Sequence, residues 1–255
     1  MQNKLTEELA VCGFNAVSAV GEIHPETINR LFLREDRFMS FSKVCKSLAA
    51  RRRPYKMCDD AELERICKSN HHQGVVAMIT APKVERLTRN DLEEWTREGA
   101  TGLVLHLVGN THNFGAMVRS AAFFGVRRVV MGDTDSEACL TTAAYRVAQG
   151  GMEYVTVKRV SDTVTFLKDA SKKLITIGAD PRGRWRIRDM STIMLEKRMQ
   201  ARRGLAVVIG NEETGLPPKV KQECHYLVRA PGTGNIESLN AAQAATLLMH
   251  EIFEL

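Results

Sequence analysis

The sequence predicts an α/β protein in which a larger C-terminal unit, built on a parallel sheet, follows a small α/β unit. Two patterns carry this prediction. From residue 101 onward, continuous apolar runs (LVLHLVG, RRVVMG, EYVTVKRV, KLITIGA, LAVVIGN and HYLVRAP) are mostly separated by helical patterns. Strands that are apolar along their whole length belong to parallel sheets covered on both faces. Before residue 80, short apolar stretches alternate with charged helical ones. A chain of 255 residues accommodates one large domain or two smaller ones.

Taken in order, the apolar stretches GFNAVSAV and TINRLFL precede FSKVCKSLAARRRPYKM, which gives a helix through Val44 and Leu48 ending in Arg51, Arg52 and Arg53. Pro54 stops that helix, because proline disfavours the α conformation in the residue before it. DDAELERICKS is an amphipathic helix that Asp59 or Asp60 can cap, with Leu63, Ile66 and Cys67 on one face. HHQGVVAMIT reads as a strand that closes the first unit, residues 1–80. Residues 81–100 are polar and charged, open with a proline and close near a glycine, and read as a linker with one helix around DLEEWTRE. Residues 101–255 form the second unit. Its first strand is placed at 103–109 and its first helix at 113–125, with Met117, Val118, Ala121 and Phe124 inward. AAQAATLLMHEI is its last helix.

The charge balance, 36 Lys+Arg against 30 Asp+Glu, gives a net +6 and a pI near 9.1, which makes a polyanionic partner plausible. The excess lies mostly in the C-terminal part, with twenty basic against fifteen acidic residues in 101–255. The six cysteines, Cys12, Cys45, Cys58, Cys67, Cys139 and Cys224, include no CxxC pair and no clustered histidine. Neither a zinc site nor a disulfide framework is expected, and buried free thiols in a reducing cytoplasm are the plain reading. The first 25 residues carry charges throughout, and no run approaches the roughly 18 to 20 apolar residues of a membrane span. A cytoplasmic protein is expected.

Open α/β sheets bind ligands beyond the carboxyl ends of their strands. Three of the loops there are rich in turn and polar residues: GNTHNFGAMVRS, GNEETGLPP and APGTGNIESLN. In the first, Asn113 can cap the following helix and Gly115 permits close backbone approach. Arg119 interrupts an otherwise apolar helix, where a guanidinium needs a partner, either a structural salt bridge or an anionic substrate. In the second, Glu212 can be a first-turn acid favoured by a helix dipole, or a functional carboxylate. In the third, the glycines lack both the G-x-G-x-x-G spacing and the G-K-[ST] of a phosphate loop. Ser238 and Asn240 can cap the last helix.

Together the loops resemble the three motifs of the SpoU-type RNA ribose 2′-O-methyltransferases of the SPOUT superfamily. N-x-G-x-x-x-R stands as Asn113, Gly115 and Arg119, and G-N-E-x-x-G-L as Gly210, Asn211, Glu212, Gly215 and Leu216. P-x-x-G-x-x-E-S-L-N stands as Pro231, Gly234, Glu237, Ser238, Leu239 and Asn240. The match spans roughly 103–252, and residues 9–80 resemble the substrate-binding domain often fused before that catalytic domain. The chain departs from the pattern at Ala230-Pro231-Gly232 and at Ala241-Ala242-Gln243-Ala244, where the family commonly has Ile-Pro-Met and Val-Ser-Val-Ala.

The resemblance implies a deep trefoil knot in the C-terminal domain, S-adenosyl-L-methionine as methyl donor, a ribosomal or transfer RNA substrate with rRNA preferred, and a homodimer. It implies no metal and no membrane. It places donor contacts at Gly210, Asn211, Ala230, Gly234 and Leu239, and the reaction at Asn113, Arg119, Glu212, Ser238 and Asn240. A guanidinium is a poor base, so Arg119 is expected to bind the adjacent phosphate and stabilise oxyanion charge. Arg182, Arg184, Arg186 and Arg188, with Arg51 to Arg53, are further candidates for phosphate contacts, or a solvated basic face. Phe123, Phe124, Leu247, Leu248 and Phe253 serve either the dimer interface or the core. A non-catalytic RNA-binding or ribosome-assembly factor that retains the fold is the alternative function. A dinucleotide-dependent enzyme is disfavoured by the missing glycine fingerprint.

Overall fold

The computed structural model describes residues 7–133, 140–190 and 203–253, so that Cys139 and the side chain of Phe253 lie outside the described residues. The chain divides into two compact units, residues 1–83 with 140–154, and residues 84–139 with 155–255.

The first unit begins with β1 (Glu8–Cys12), α1 (Phe14–Ile23), β2 (Ile28–Leu33) and α2 (Ser42–Ala50). It continues through β3 (Tyr55–Met57), α3 (Asp60–Cys67) and β4 (Val75–Thr80). The sheet order is β1-β4-β2-β3, with β4 antiparallel to both its neighbours and β3 parallel to β2. Asp59 is the residue that caps α3, accepting from Glu62 N at 2.8 Å, and Leu63 and Cys67 are buried as their spacing requires. Helix α2 stops at Ala50, before the arginines. Arg51 then turns its guanidinium back onto the carbonyls of Pro25 and Glu26, at 2.7 and 3.0 Å, and this structural use leaves only Arg52 and Arg53 exposed.

The second unit opens within the stretch expected to be a linker. Strand β5 (Glu85–Arg86) joins the large sheet beside residues 158–159, and α4 (Arg89–Glu98) follows it. Only two residues of α4 are buried, Leu92 and Trp95, but they are three apart and therefore share a face. Trp95 is fully buried, its indole N–H donates to Ala100 O at 2.9 Å, and a Cβ on Gly102 would stand 2.4 Å from its ring. The polar composition of 81–100 reflects the outer face of a docked helix. Thr88 and Asp91 close a capping box at its N-terminus.

β6 (Thr101–Leu105), α5 (Thr111–Phe123) and β7 (Arg128–Gly132) come next. α6 (Thr142–Ala148) and the turn at 151–154 then return to the first unit, where α6 packs on β1. There Asn15 Nδ2 donates to Gln149 Oε1 at 3.0 Å. Gly150, at φ +94°, lies so close to Ala19 that a Cβ would come within 2.8 Å of it. The first unit is therefore discontinuous, where the sequence suggested residues 1–80 alone.

The second unit resumes with β8 (Thr156–Val160), α7 (Thr163–Ala170), β9 (Ile175–Ala179) and β10 (Trp185–Arg186). It ends with β11 (Leu205–Ile209), α8 (Pro218–Gln222), β12 (Tyr226–Arg229) and α9 (Ala241–Phe253). Its eight strands run in the order β10-β12-β9-β11-β6-β7-β8-β5, and every neighbouring pair is parallel. β11 and most of β6 are buried along their length, as the apolar runs predicted. All strand carboxyl ends share one edge, and the three candidate loops leave from it. Among the described residues no helix is long and apolar enough to cross a membrane.

Candidate active site

β6 ends at Leu105, four residues before the predicted end, and the chain then bends with Leu107 in the left-handed region at φ +54°. A non-glycine residue in that conformation is strained, and here a partner holds it: Asn211 Nδ2 donates to Leu107 O at 2.8 Å. The early end moves the helix cap forward as well. Asn110, rather than Asn113, caps α5, its Oδ1 accepting from His112 N and Asn113 N at 2.9 and 3.3 Å. Asn113 lies inside the first turn with its own side chain free for another use.

That use is a directed chain of hydrogen bonds across the three loops. Asn240 Nδ2 donates to Asn113 Oδ1 at 2.9 Å, and Asn113 Nδ2 donates to Glu212 Oε1 at 3.0 Å. Glu212 Oε1 also accepts from Asn110 N at 3.3 Å. Glu212 is not in the first turn of a helix, since α8 begins only at Pro218. Asn240 caps the last helix as expected, its Oδ1 accepting from Ala242 N at 2.8 Å at the start of α9, while its Nδ2 reaches Asn113.

The second loop is a tight turn made by its own residues. Asn211 Oδ1 accepts from Glu213 N and Thr214 N at 2.9 and 3.0 Å, and Gly215 N returns to Asn211 O at 2.9 Å. Gly210 packs against Gly215 so closely that a Cβ would stand 2.4 Å from its carbonyl carbon. Leu216 then drops into the core. The asparagine side chain, expected among the donor contacts, is thus spent on the turn and on Leu107.

Beside this turn a cavity of about 340 Å³ opens over the carboxyl ends of β9, β11 and β12. Gly210, Asn211, Glu212, Ala230, Ser238 and Leu239 all border it, with apolar wall from Ile209, Leu216, Val228 and Leu248. Glu212 therefore stands both on the cavity and in the asparagine chain. Gly234 lies outside the lining, in an exposed loop that its φ of +88° shapes. Arg119 is exposed on α5, with no hydrogen bond or ion pair to the other candidates among the described residues, which removes the structural salt bridge as its explanation.

The sequence reading missed Asp180 and Lys221. Asp180 follows the last residue of β9, borders the cavity, and binds Lys221 Nζ at 2.6 Å and Arg182 N at 2.8 Å. Burial by itself would raise its carboxyl, but the ammonium and the amide hold it below the ordinary carboxylate value. The available signal was an acid placed directly beyond a strand end, as in KLITIGAD. Of the RGRWRIR arginines, Arg182 borders the cavity and meets Glu237 at 3.5 Å, while Arg184 lies over the Trp185 ring. The apolar candidates on α5 and α9 divide: Leu248 is buried, Phe123 is 81% exposed and Leu247 42% exposed.

Comparison with known proteins agrees with this architecture. Residues 100–250 match the model of the SpoU rRNA Methylase family, and residues 10–85 that of RNA 2′-O ribose methyltransferase substrate binding. The chain is 29% identical over 98% of its length to an uncharacterized tRNA/rRNA methyltransferase, YfiF, of Escherichia coli O157:H7, covering 69% of that protein. It is 30% identical over 98% of its length to the 23S rRNA (guanosine-2′-O-)-methyltransferase RlmB of Nitrosomonas europaea, covering 92% of that protein. It shares its fold with the SpoU methyltransferase AviRb of Streptomyces viridochromogenes, solved in complex with the cofactor AdoMet. There the TM-score is 0.72 at 22% identity, over 98% of this chain and 91% of the other.

Proposed function

The chain belongs to the SpoU rRNA methylase family, and on that premise we propose that it is an S-adenosyl-L-methionine-dependent RNA (ribose-2′-O)-methyltransferase acting on structured RNA, ribosomal in preference to transfer RNA. The observation that carries this reading is the position of Glu212. Its carboxylate borders a ligand-sized cavity and also anchors Asn113, and through it Asn240, beside that cavity. The ribosomal preference is supported by the named activity of the Nitrosomonas relative.

The cavity suits an amphipathic donor. Apolar walls from Ile209, Leu216 and Leu248 fit a nucleobase, the backbone at Gly210, Ala230 and Leu239 offers polar groups, and Glu212 and Asp180 suit cationic ones. When bound, S-adenosylmethionine supplies an electrophilic methyl group on a sulfonium. The protein's own task is to orient a ribose hydroxyl, help it lose its proton and stabilise the resulting oxygen charge. Asn113 and Asn240, each locked by the other's amide, are rigid enough to orient that hydroxyl, and Glu212 fixes the pair. Ser238, exposed on the cavity rim, contributes a further hydroxyl.

Arg119 grips the phosphate next to the reacting ribose, and the proton leaves to that phosphate or to water. Since Arg119 is exposed on the stripe that also carries Phe123, four residues on, it serves the site of a second copy in a homodimer. Phe123 and Leu247, exposed apolar side chains of α5 and α9, support an interface there. The non-sequential order β12-β9-β11-β6 supports the knotted path expected of the family.

Ribose-methylation mapping of total RNA from cells with and without the gene tests the proposal. One 2′-O-methyl nucleotide of rRNA should disappear with the gene. Loss from a tRNA instead would refute the ribosomal preference, and unchanged maps would refute the activity.

A further inference from the structure

A second cavity, of about 520 Å³, opens at the same strand edge of the catalytic unit, at the carboxyl ends of β5 and β8. Helices α4 and α7 start beside it. Its border carries five cations, Arg86, Arg89, Arg159, Lys172 and Lys173, against two acids, Asp162 and Asp169. Asp162 is spent on capping α7, accepting from Thr165 N and Oγ1, each at 2.7 Å. Asp169 pairs with Lys172 at 2.9 Å and Glu93 of α4, outside the lining, is shared by Arg89 at 3.1 Å and Lys173 at 3.6 Å, so that the cations outnumber the acids that meet them.

Arg159 is only weakly paired. It shares one carboxylate with Arg86: Asp133 takes Arg86 at 2.7 Å and Arg159 only at 3.5 Å. The Arg159 Nε is buried and has no hydrogen-bond partner among the described residues. A buried N–H almost always has an acceptor, and the rest of this side chain, 38% exposed, presents a planar fork that matches the oxygens of a phosphate.

The cavity's place in the sheet says which phosphate. β8 and β5 stand three and four strands from β11, which borders the candidate active site, in one parallel sheet. At about 4.8 Å per strand the two openings are roughly 14 to 19 Å apart along a single edge. That separation is a few nucleotides of RNA chain. We propose that this basic cavity binds a backbone phosphate of the substrate RNA, a few nucleotides from the methylated ribose. The assignment rests on the function proposed above.

The test is methyl transfer and RNA binding by the full chain, with total RNA from cells lacking the gene as substrate. Arg159→Gln is compared with the double variant Arg89→Gln/Lys173→Gln, which alters only the rim and does not endanger folding. A control, Arg97→Gln/Lys168→Gln, removes equal charge from the far ends of α4 and α7. Both cavity variants should raise KM for RNA about tenfold with kcat within about twofold of wild type. The rim variant should also lower the slope of log affinity against log salt by about one, while the control leaves both unchanged. Wild-type KM and salt slope in the cavity variants would overturn the proposal, as would an equal loss in the control. So would variants that lose binding of inorganic phosphate yet keep wild-type KM for RNA, a result that would assign the cavity to a free phosphate ligand. If the wild-type protein itself neither bound nor methylated RNA, the proposed function would fall together with this one.

Discussion

At the scale of single residues, the candidate site is held together by how three amide and carboxylate side chains are divided between neighbours. Asn240 gives its oxygen to the start of α9 and its nitrogen to Asn113, and Asn113 passes its own nitrogen to Glu212. The motifs named these three residues, but their spacing did not disclose that they bond to one another, nor that Asn110 is the cap. A cap shifts by three residues when the preceding strand ends early, and where β6 ends is settled by its partners in the sheet. Arg119 is predicted to act across two copies. Arg119→Ala and Glu212→Ala should each abolish methylation, with the first retaining donor binding by calorimetry. Mixed in equal amounts and allowed to exchange, they should recover about a quarter of wild-type activity, since half the dimers then hold one complete site. No recovery would place Arg119 in its own protomer's site. Asp180 carries a pH prediction. Its carboxyl is held low in the fold, so its contribution is present above the unfolded value of about 3.9 and is lost as pH falls through the lower folded value. Asp180→Asn should therefore lower the melting temperature at pH 7, and the gap to wild type should close below about pH 4. An undiminished gap at pH 3 would show that the Lys221 pair is not its source.

At the scale of elements, α4 shows how composition misleads. A helix that docks on a sheet through Leu92 and Trp95 alone needs only two apolar residues, and the rest of its surface is free to be polar. The signal was present in their i, i+3 spacing and in the glycine at 102, whose missing side chain makes room for the indole. Trp95→Ala should destabilise the second unit by about 3 to 5 kcal/mol in denaturant titration, the usual cost of emptying a large aromatic site. A loss below about 1 kcal/mol would return residues 89–98 to the status of a linker. The strands were legible for the opposite reason. Runs such as LAVVI are apolar at every position, and only a strand covered on both faces uses such a run at that length. The GNEETGL turn was legible as a motif, while its glycines became explicable only when Gly210 and Gly215 were found back to back.

At the scale of the whole molecule, the first unit is completed by residues 140–154, which lie in the sequence between elements of the second. Ala144, Tyr145, Ala148 and Met152 are buried there. A fragment of residues 1–83 should accordingly be less stable than the same fragment joined through a flexible linker to 140–154, as read by thermal unfolding. Equal melting temperatures would show that the segment is an accessory. The α/β class, the parallel sheet, the family and the three motifs that carry Asn113, Glu212 and Asn240 were legible in the sequence, because they follow from local periodicity and from short motifs. That α4 belongs to the second unit and 140–154 to the first became visible in the fold alone. The same holds for the turn that Asn211 builds and for the Arg159 Nε, buried without a partner among the described residues. Each of these depends on contacts between residues far apart in the chain, whose strength comes from burial and fit, and neither quantity is written in the order of residues.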